Sequence, residues 1–219
     1  MDFSPVLISA KTASASMAAT FFAGLFAARF VAGLGRNRWK MILDGILTLP
    51  LVLPPTVAGF FLLYIFGVRG PVGKFLVDLF GVRVAFSWIA TVLASSAISF
   101  PLMYRSARGA LEQVDQTLIY AARTLGMSEW KIFFKVTLPT ALPGIASGAV
   151  LAFARGLGEY GATTMIAGNI PGRTRTLPVA IASAANSGDM ESAYRYVLII
   201  VVFSLIVVGL MNYLAALKK

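Results

Sequence analysis

The most informative part of the chain begins Tyr120-Ala121-Ala122-Arg123-Thr124-Leu125-Gly126 and, after nine more residues, ends Val136-Thr137-Leu138-Pro139. Its first half places small and apolar side chains on one stripe of a helix, at Ala121, Ala122 and Leu125. Gly126 is suited to ending that helix, and Ser128 is suited to capping a second amphipathic helix over about 128–136. The pattern predicts two short helices joined by a tight glycine turn, with small residues that let another surface approach closely.

The composition around this segment is that of a membrane protein. Of 219 residues, 58% are hydrophobic and 13% are charged, about half the charged fraction of an ordinary soluble domain, so lipid is the solvent that fits. Cysteine and histidine are both absent, which excludes disulfides, thiolate metal sites and the commonest general base. We expect no catalytic residue and no metal site. A net charge of +10 in so apolar a chain indicates loops facing anionic lipid rather than nucleic acid.

Five apolar stretches are long enough to cross a bilayer, which takes about 20 residues. They lie at about 12–34, 41–66, 84–104, 141–157 with an extension that gives 141–166, and 197–217. Pro50, Pro54 and Pro55 interrupt the second stretch, and such breaks persist where neighbouring helices or a cavity satisfy the freed carbonyls. A 106–137 internal loop and a 160–195 external segment connect the spans. The predicted fold class is a single all-α polytopic membrane domain over residues 1–219.

The distribution of lysine and arginine predicts the orientation of the chain. Eleven basic residues lie on one side if the segments after the first and third spans and the C-terminus face the cytoplasm, against seven on the other side. This excess predicts that the N-terminus is outside and the C-terminus is cytoplasmic. An odd number of spans is consistent with that arrangement.

The 120–139 segment resembles the coupling signature of binding-protein-dependent ABC permeases, which reads Glu-Ala-Ala, three residues, Gly, nine residues, Ile-x-Leu-Pro. The spacing is intact, with Tyr120 in place of the Glu and Val136 in place of the Ile. The resemblance implies an ABC importer permease fold and a cytoplasmic loop that docks in a groove of a separate ATPase subunit. The residues it assigns to this coupling are Ala121, Ala122, Leu125, Gly126, Val136, Leu138 and Pro139. The chain contains no Gly-x-x-x-x-Gly-Lys-Ser/Thr motif, so we expect no cofactor on this chain and ATP and Mg²⁺ use by the partner.

Three further stretches narrow the resemblance. They are Ile46–Gly59, Phe153–Thr163, and residues 168–178 with Gly-Asn-Ile-Pro-Gly followed by Thr-Arg-Thr-Leu-Pro. Together with the coupling signature they are similar, nearly end to end, to molybdate importer permeases. Sulfate and thiosulfate permeases share the Pro-Pro and Gly-Glu-Tyr-Gly elements but are less similar around 170–177, and tungstate is nearly isosteric with molybdate. The resemblance implies a bacterial or archaeal plasma membrane, two ATPase copies and an extracytoplasmic oxyanion-binding protein as partners.

Candidate residues of a translocation path come from the spans themselves. Arg155 is costly in lipid and should face protein, a partner or a cavity, and Glu159 lies one helical turn further on. The two could form a structural ion pair, or Arg155 could contact the oxyanion. Hydroxyl donors in the spans could serve the oxyanion or hold helices together: Ser95, Ser96, Ser99 and Ser147. The break at Pro54 and Pro55 either exposes backbone groups to a cavity or kinks a helix for packing.

Other arrangements and classes of protein were weighed against this interpretation. Five spans cannot easily enclose an anion path, so we expect a homodimer with the path on its two-fold axis. An ATP-independent channel or secondary carrier would need an ion filter or a coupling-ion site, and Asp44 and Glu159 are the only acidic residues deep in the spans. A purely structural membrane subunit would have no use for the coupling signature.

Overall fold

The computed structural model describes residues 2–35 and 37–216, and within these ranges the chain is helical with no β-strand. The helices are α1 (Ser4–Ala32), α2 (Arg38–Val52), α3 (Pro55–Phe66), α4 (Pro71–Phe80), α5 (Trp88–Glu112), α6 (Gln116–Thr124), α7 (Glu129–Ile132), α8 (Leu138–Leu157), α9 (Gly161–Ala167), α10 (Leu177–Asn186) and α11 (Met190–Ala216). A π-helical turn, Phe133–Thr137, joins α7 to α8, so Glu129–Leu157 is one continuous helical segment. The predicted all-α fold is confirmed.

The number of long helices is close to the five predicted spans. Three segments are long and apolar enough to cross a membrane: α1, Glu129–Leu157 and Met190–Gly209 of α11. Helices α2 and α3 pass the same test as a pair that is bent by 113°. The remaining long helix, α5, has 25 residues, about 37 Å of helix, and is more polar because its second half carries Arg105, Arg108 and Glu112.

Helix α5 is the centre of the fold, since it packs against α1 and against α8. The core between these helices contains Ala28, Met103, Ala107 and Ile145, all fully buried. Small residues allow the close approach: a Cβ added to Gly24 would lie 2.7 Å from Cγ of Met103. Membrane helices commonly pack through small residues in this way. The α1–α5–α8 unit therefore positions the segments that leave its two ends.

Several helix boundaries differ from the predicted spans. Helix α1 begins at Ser4 rather than 12, and α5 continues through Glu112 into the predicted 106–137 loop. The fourth span ends at Leu157 and does not extend to 166, because the helix breaks over 158–160 before α9. The 160–195 segment is largely helical, and the second helix predicted at 128–136 runs on into α8. The span predicted at 197–217 lies within α11, except that residue 217 is outside the described residues.

The second predicted span is two helices rather than one. Pro54 lacks an N–H and disfavours helical backbone at the preceding residue, and Leu53 and Pro54 have ψ of 140° and 136°. Pro55 then occupies the first turn of α3, where proline is favoured, whereas Pro50 is accommodated inside α2. The chain turns sharply at this point, and α3 packs against α9.

Candidate functional site

The coupling segment, which we define as residues 115–139, folds as helices around a glycine turn. Asp115 caps α6 by accepting a 2.8 Å bond from the N–H of Thr117, and this bond lowers the pKa of Asp115. Gly126 has a φ of +73°, a conformation that costs glycine little. The N–H groups of Gly126 and Met127 donate to the carbonyls of Arg123 and Ala122 at 2.9 and 3.1 Å, which is a Schellman helix ending. The predicted glycine turn is confirmed.

An ion pair closes this turn. Arg123 donates through Nε and Nη2 to the two carboxylate oxygens of Glu129, at 2.7 and 3.2 Å. These bonds lower the pKa of Glu129 and raise the pKa of Arg123. About half of each side chain is exposed, so the pair contributes little stability by itself. Its geometric effect is to hold α7 against the end of α6.

The tip of the coupling segment is exposed and apolar. Of the residues assigned to coupling, Ala121, Leu125, Gly126 and Pro139 are exposed, Val136 and Leu138 are half-buried, and Ala122 is buried. Leu125 is 80% exposed. Ala122 is therefore a packing residue of α6, and the other six are wholly or partly accessible to a partner. Their docking role stays a prediction.

Three large apolar side chains extend this exposed surface and were not assigned to it from the sequence: Leu118, Trp130 and Phe134. Trp130 is 73% exposed, and its ring stacks on that of Phe134 with the centroids 6.1 Å apart. The four-residue separation of these two aromatic residues on a helix is the signal that could have found them. Together with Leu125 they form an apolar knob at one end of the molecule.

Six hydroxyl side chains form three hydrogen-bonded pairs between α1 and α5, which we call the hydroxyl ladder. The pairs are Thr12–Thr91 at 2.9 Å, Ser16–Ser95 at 3.0 Å and Thr20–Ser99 at 3.2 Å. All six residues are buried, and the two members of each pair are 79 positions apart in the chain. Trp88 extends the ladder by donating from Nε1 to Thr12 at 3.1 Å. Interhelical hydrogen bonds of this kind help membrane helices to associate.

The hydroxyl ladder contains two of the serines predicted for the path. Oγ of Ser95 also lies 3.0 Å from the carbonyl oxygen of Gly156, and Ser99 donates to the carbonyl of Ser95 at 2.8 Å. Their hydrogen bonds are made inside the protein, which favours the packing alternative, and an oxyanion contact by either stays a prediction. The sequence carried a signal for this arrangement: hydroxyl residues repeat every four positions over 12–20 and again over 91–99.

The other two predicted serines lie in different surroundings. Ser147 is on the exposed face of α8 and donates to the carbonyl of Pro143 at 3.0 Å. Oγ of Ser96 is buried and has no hydrogen-bond partner among the described residues. Of the four serines, Ser147 is therefore the one most accessible to a solute, to lipid or to a second subunit.

Arg155 and Glu159 form the ion pair that was one of the two predicted alternatives, with Nη1 and Oε2 2.8 Å apart. Only 2% of the Glu159 side chain is exposed, against 35% of the Arg155 side chain. The other oxygen of Glu159 accepts a 2.7 Å bond from the N–H of Ala162. Glu159 thus joins the end of α8 to the start of α9 with both oxygens occupied. The guanidinium remains partly accessible, and its contact with an oxyanion stays a prediction.

The break at Pro54 and Pro55 lies against α9. A Cβ added to Gly161 would be 3.1 Å from Cβ of Pro55, and a Cβ on Gly59 would be 2.7 Å from Cα of Ala162. The two helices therefore touch almost backbone to backbone. This geometry favours the packing alternative for the proline break, and contact of its backbone groups with a solute stays a prediction.

These features define a class of protein: an all-helical membrane subunit with a coupling segment exposed at one end of its helix bundle. The chain belongs to the family of binding-protein-dependent transport system inner membrane components, whose family model matches residues 20–218. That match covers both the helix bundle and the coupling segment.

Particular relatives within and around this family are closely similar. The chain is 49% identical over 181 residues to the molybdenum transport system permease protein ModB of Escherichia coli strain K12, covering 82% of this chain and 79% of the relative. It is 41% identical over 217 residues to ModB of Haemophilus influenzae, covering 98% and 94%. Its fold is similar to that of a bacterial alginate ABC transporter crystallised with an alginate pentasaccharide-bound periplasmic protein. That TM-score is 0.79 at 16% identity, covering 97% of this chain and 77% of that one.

Proposed function

We propose that the chain is the membrane permease subunit of an ATP-driven importer of molybdate, with tungstate accepted as a near-isostere. The observation that carries the choice of solute is the 49% identity to a molybdenum transport permease over 82% of the chain. The match of the family model to residues 20–218 supports the dependence on a binding protein.

The energy enters through the coupling segment. Its apolar knob around Leu125 and Trp130 is the kind of surface that a groove on a partner ATPase would cover. Because Glu129–Leu157 is one continuous helical segment, a displacement of the knob is carried directly into α8. ATP and Mg²⁺ belong to the partner, which is a separate polypeptide.

The assembly has two permease chains, two ATPase subunits below them and an oxyanion-binding protein on the opposite side. Exposed apolar side chains on α2, α3 and α11 supply surface for lipid and for the second permease chain. The N-terminus lies outside the plasma membrane of a bacterium or archaeon and the C-terminus lies in the cytoplasm, as the excess of basic residues predicts.

Arg155 supplies the chemistry that a tetrahedral dianion needs in transit. A guanidinium offers several N–H donors and a permanent positive charge. Glu159 occupies one side of this group, and the exposed third of the side chain is the part available to the solute. Ser147 adds a hydroxyl on the accessible face of α8.

The test is reconstitution of the chain in liposomes with the ATPase and binding protein encoded beside it. We expect uptake of radioactive molybdate that requires ATP, Mg²⁺ and both partners, and competition by tungstate but not by sulfate. Competition by sulfate at equal concentration would move the assignment to sulfate or thiosulfate. Uptake by the chain alone, without the ATPase, would show a channel or secondary carrier and refute the proposal.

A further inference from the structure

Five polar side chains join α2 to the end of α5, and we call them the α2–α5 clamp: Lys40, Asp44, Tyr104, Arg108 and Glu112. Arg108 is at the centre, donating through Nη1 to Oδ1 of Asp44 and through Nε to Oε1 of Glu112 at 3.0 Å. Tyr104 donates to Asp44 at 3.0 Å, and Nζ of Lys40 lies 2.9 Å from Oε1 of Glu112. Each helix contributes residues one turn apart, so the contacts follow the line where the two helices meet.

The α2–α5 clamp is the main specific attachment of α2 to the rest of the chain. No residue of α2 is fully buried, and its apolar contribution to the core comes from the half-buried Leu43 and Leu47. Its opposite face, with Trp39, Met41 and Ile46, is exposed. Apolar packing alone therefore fixes α2 only weakly, and the hydrogen-bonded charges set its position on α5.

The position of the α2–α5 clamp gives it a route to both working parts of the molecule. Glu112 is the last residue of α5, and α6 of the coupling segment begins four positions later at Gln116. At the other end of α2 the chain bends by 113° into α3, which lies against α9. The clamp thus stands between the coupling segment and the broken α2–α3 span.

Arginine is specifically suited to the central place in the clamp. Its planar guanidinium donates in two directions at once, here to carboxylates on two different helices, whereas a lysine ammonium is a point charge. The clamp side chains are between 18% and 37% exposed, so salt screens them less than fully exposed charges. Loss of Arg108 would leave Asp44 with Tyr104 alone and Glu112 with Lys40 alone.

We infer that Arg108 is a positioning residue for energy coupling, which ties the α2–α3 span to the end of α5 that leads into the coupling segment. When the coupling segment is displaced by the ATPase, Arg108 makes α2 follow α5, and α3 moves against α9 as a result. This inference rests on the proposed function, because it concerns how that transport is driven.

The first test compares Arg108→Gln with Arg105→Gln in the complex reconstituted with ATPase and binding protein. Arg105 is on the same helix, is exposed, and forms no ion pair within the part of the chain that the structure describes. We expect Arg108→Gln to retain ATPase association and hydrolysis, while molybdate taken up per ATP falls about tenfold. Arg105→Gln should match the wild type. An unchanged ratio in Arg108→Gln would overturn the inference, whereas a wild type that takes up no molybdate would count against the proposed function instead.

A covalent tether separates positioning from folding. The chain has no cysteine, so Asp44→Cys with Arg108→Cys gives a unique thiol pair that a flexible bifunctional thiol reagent can join. We expect this variant to transport poorly before reaction and to recover most of its uptake per ATP once α2 is tethered to α5 again. The same molecules are assayed before and after, so recovery reports positioning rather than folding. Complete cross-linking without recovery would overturn the inference, including in the event that Arg108→Gln fails to accumulate.

A distance measurement needs no solute. Spin labels at Ile42→Cys on the exposed face of α2 and at Arg105→Cys on α5 report the separation of the two helices. With Arg108 present we expect a narrow distance distribution, and with Arg108→Gln a distribution that is broader and shifted to longer distance. Identical distributions would mean that Leu43 and Leu47 suffice to hold α2, and the inference would fail.

Discussion

Arg155 and Glu159 form an ion pair whose members are unequally buried, since almost none of the Glu159 side chain is exposed and about a third of the Arg155 side chain is. Glu159 also accepts the N–H of Ala162, so it has two structural partners and Arg155 has one. The two residues should therefore respond differently to substitution.

We expect Glu159→Ala to lower stability by about 3–5 kcal/mol, because it removes a buried ion pair and the cap of α9 together. Arg155→Ala should cost less, since water reaches its side of the pair. The double variant Arg155→Ala with Glu159→Gln should recover stability, because an amide still accepts from Ala162 and carries no charge. Thermal unfolding of purified protein in detergent ranks the three. If stability recovers and molybdate uptake does not, Arg155 contacts the solute; equal losses in both single variants would contradict the unequal burial.

Gly126 should tolerate a side chain only if the residue accepts a positive φ. No atom lies within 4 Å of an added Cβ, so the cost of Gly126→Leu is backbone strain of about 1–2 kcal/mol together with a changed docking surface. We expect Gly126→Leu to reach the membrane and to lose ATPase association. Gly126→Asn is the matched control, because asparagine tolerates this conformation. Co-purification of the ATPase measures the effect, and normal association of the leucine variant would argue against docking at this turn.

Gly156 should be intolerant of even a methyl group. A Cβ there would lie 2.7 Å from Oγ of Ser95, too close for any real contact, so Gly156→Ala should separate α8 from α5 and lower the melting temperature. Adding Ser95→Ala removes the clashing atom and should restore much of the loss, although the variant forgoes a hydrogen bond worth about 0.6 kcal/mol. Gly109→Ala is the control: nothing lies near its added Cβ, and alanine is the better helix former by about 1 kcal/mol. Additive losses in the double variant would contradict the predicted clash.

Glu112 should make stability dependent on acid. Burial raises its pKa, but hydrogen bonds from Lys40 and Arg108 outweigh this and hold the pKa below the ordinary value of 4.5. A carboxylate whose pKa is lowered by folding stabilises the protein above its unfolded pKa, and this contribution is lost as pH falls through the folded pKa. The wild type should therefore melt higher than Glu112→Gln at pH 7, with the difference shrinking below about pH 4.5. A difference that is constant from pH 7 to pH 3.5 would show that the charge of Glu112 is not responsible.

The sequence was sufficient for features that depend on neighbouring residues. Apolar length predicts the long helices, and the glycine at 126 predicts the turn, because both are local properties. The 113° bend was not predictable from Pro54 and Pro55, since proline breaks a helix without specifying the new direction. The α2–α5 clamp was missed because Asp44 and Arg108 are far apart in the chain, and only the packing of α2 on α5 brings them together.

The constant separation of 79 positions in the hydroxyl ladder limits how α1 can slide along α5. A shift of one, two or three residues breaks all three contacts at once. A shift of one full turn, about 6 Å for four residues, would pair Thr12 with Ser95 and Ser16 with Ser99 again. Relative sliding of these helices is therefore quantised, and any smaller motion of the bundle during transport has to be a rotation of α1 and α5 as one body.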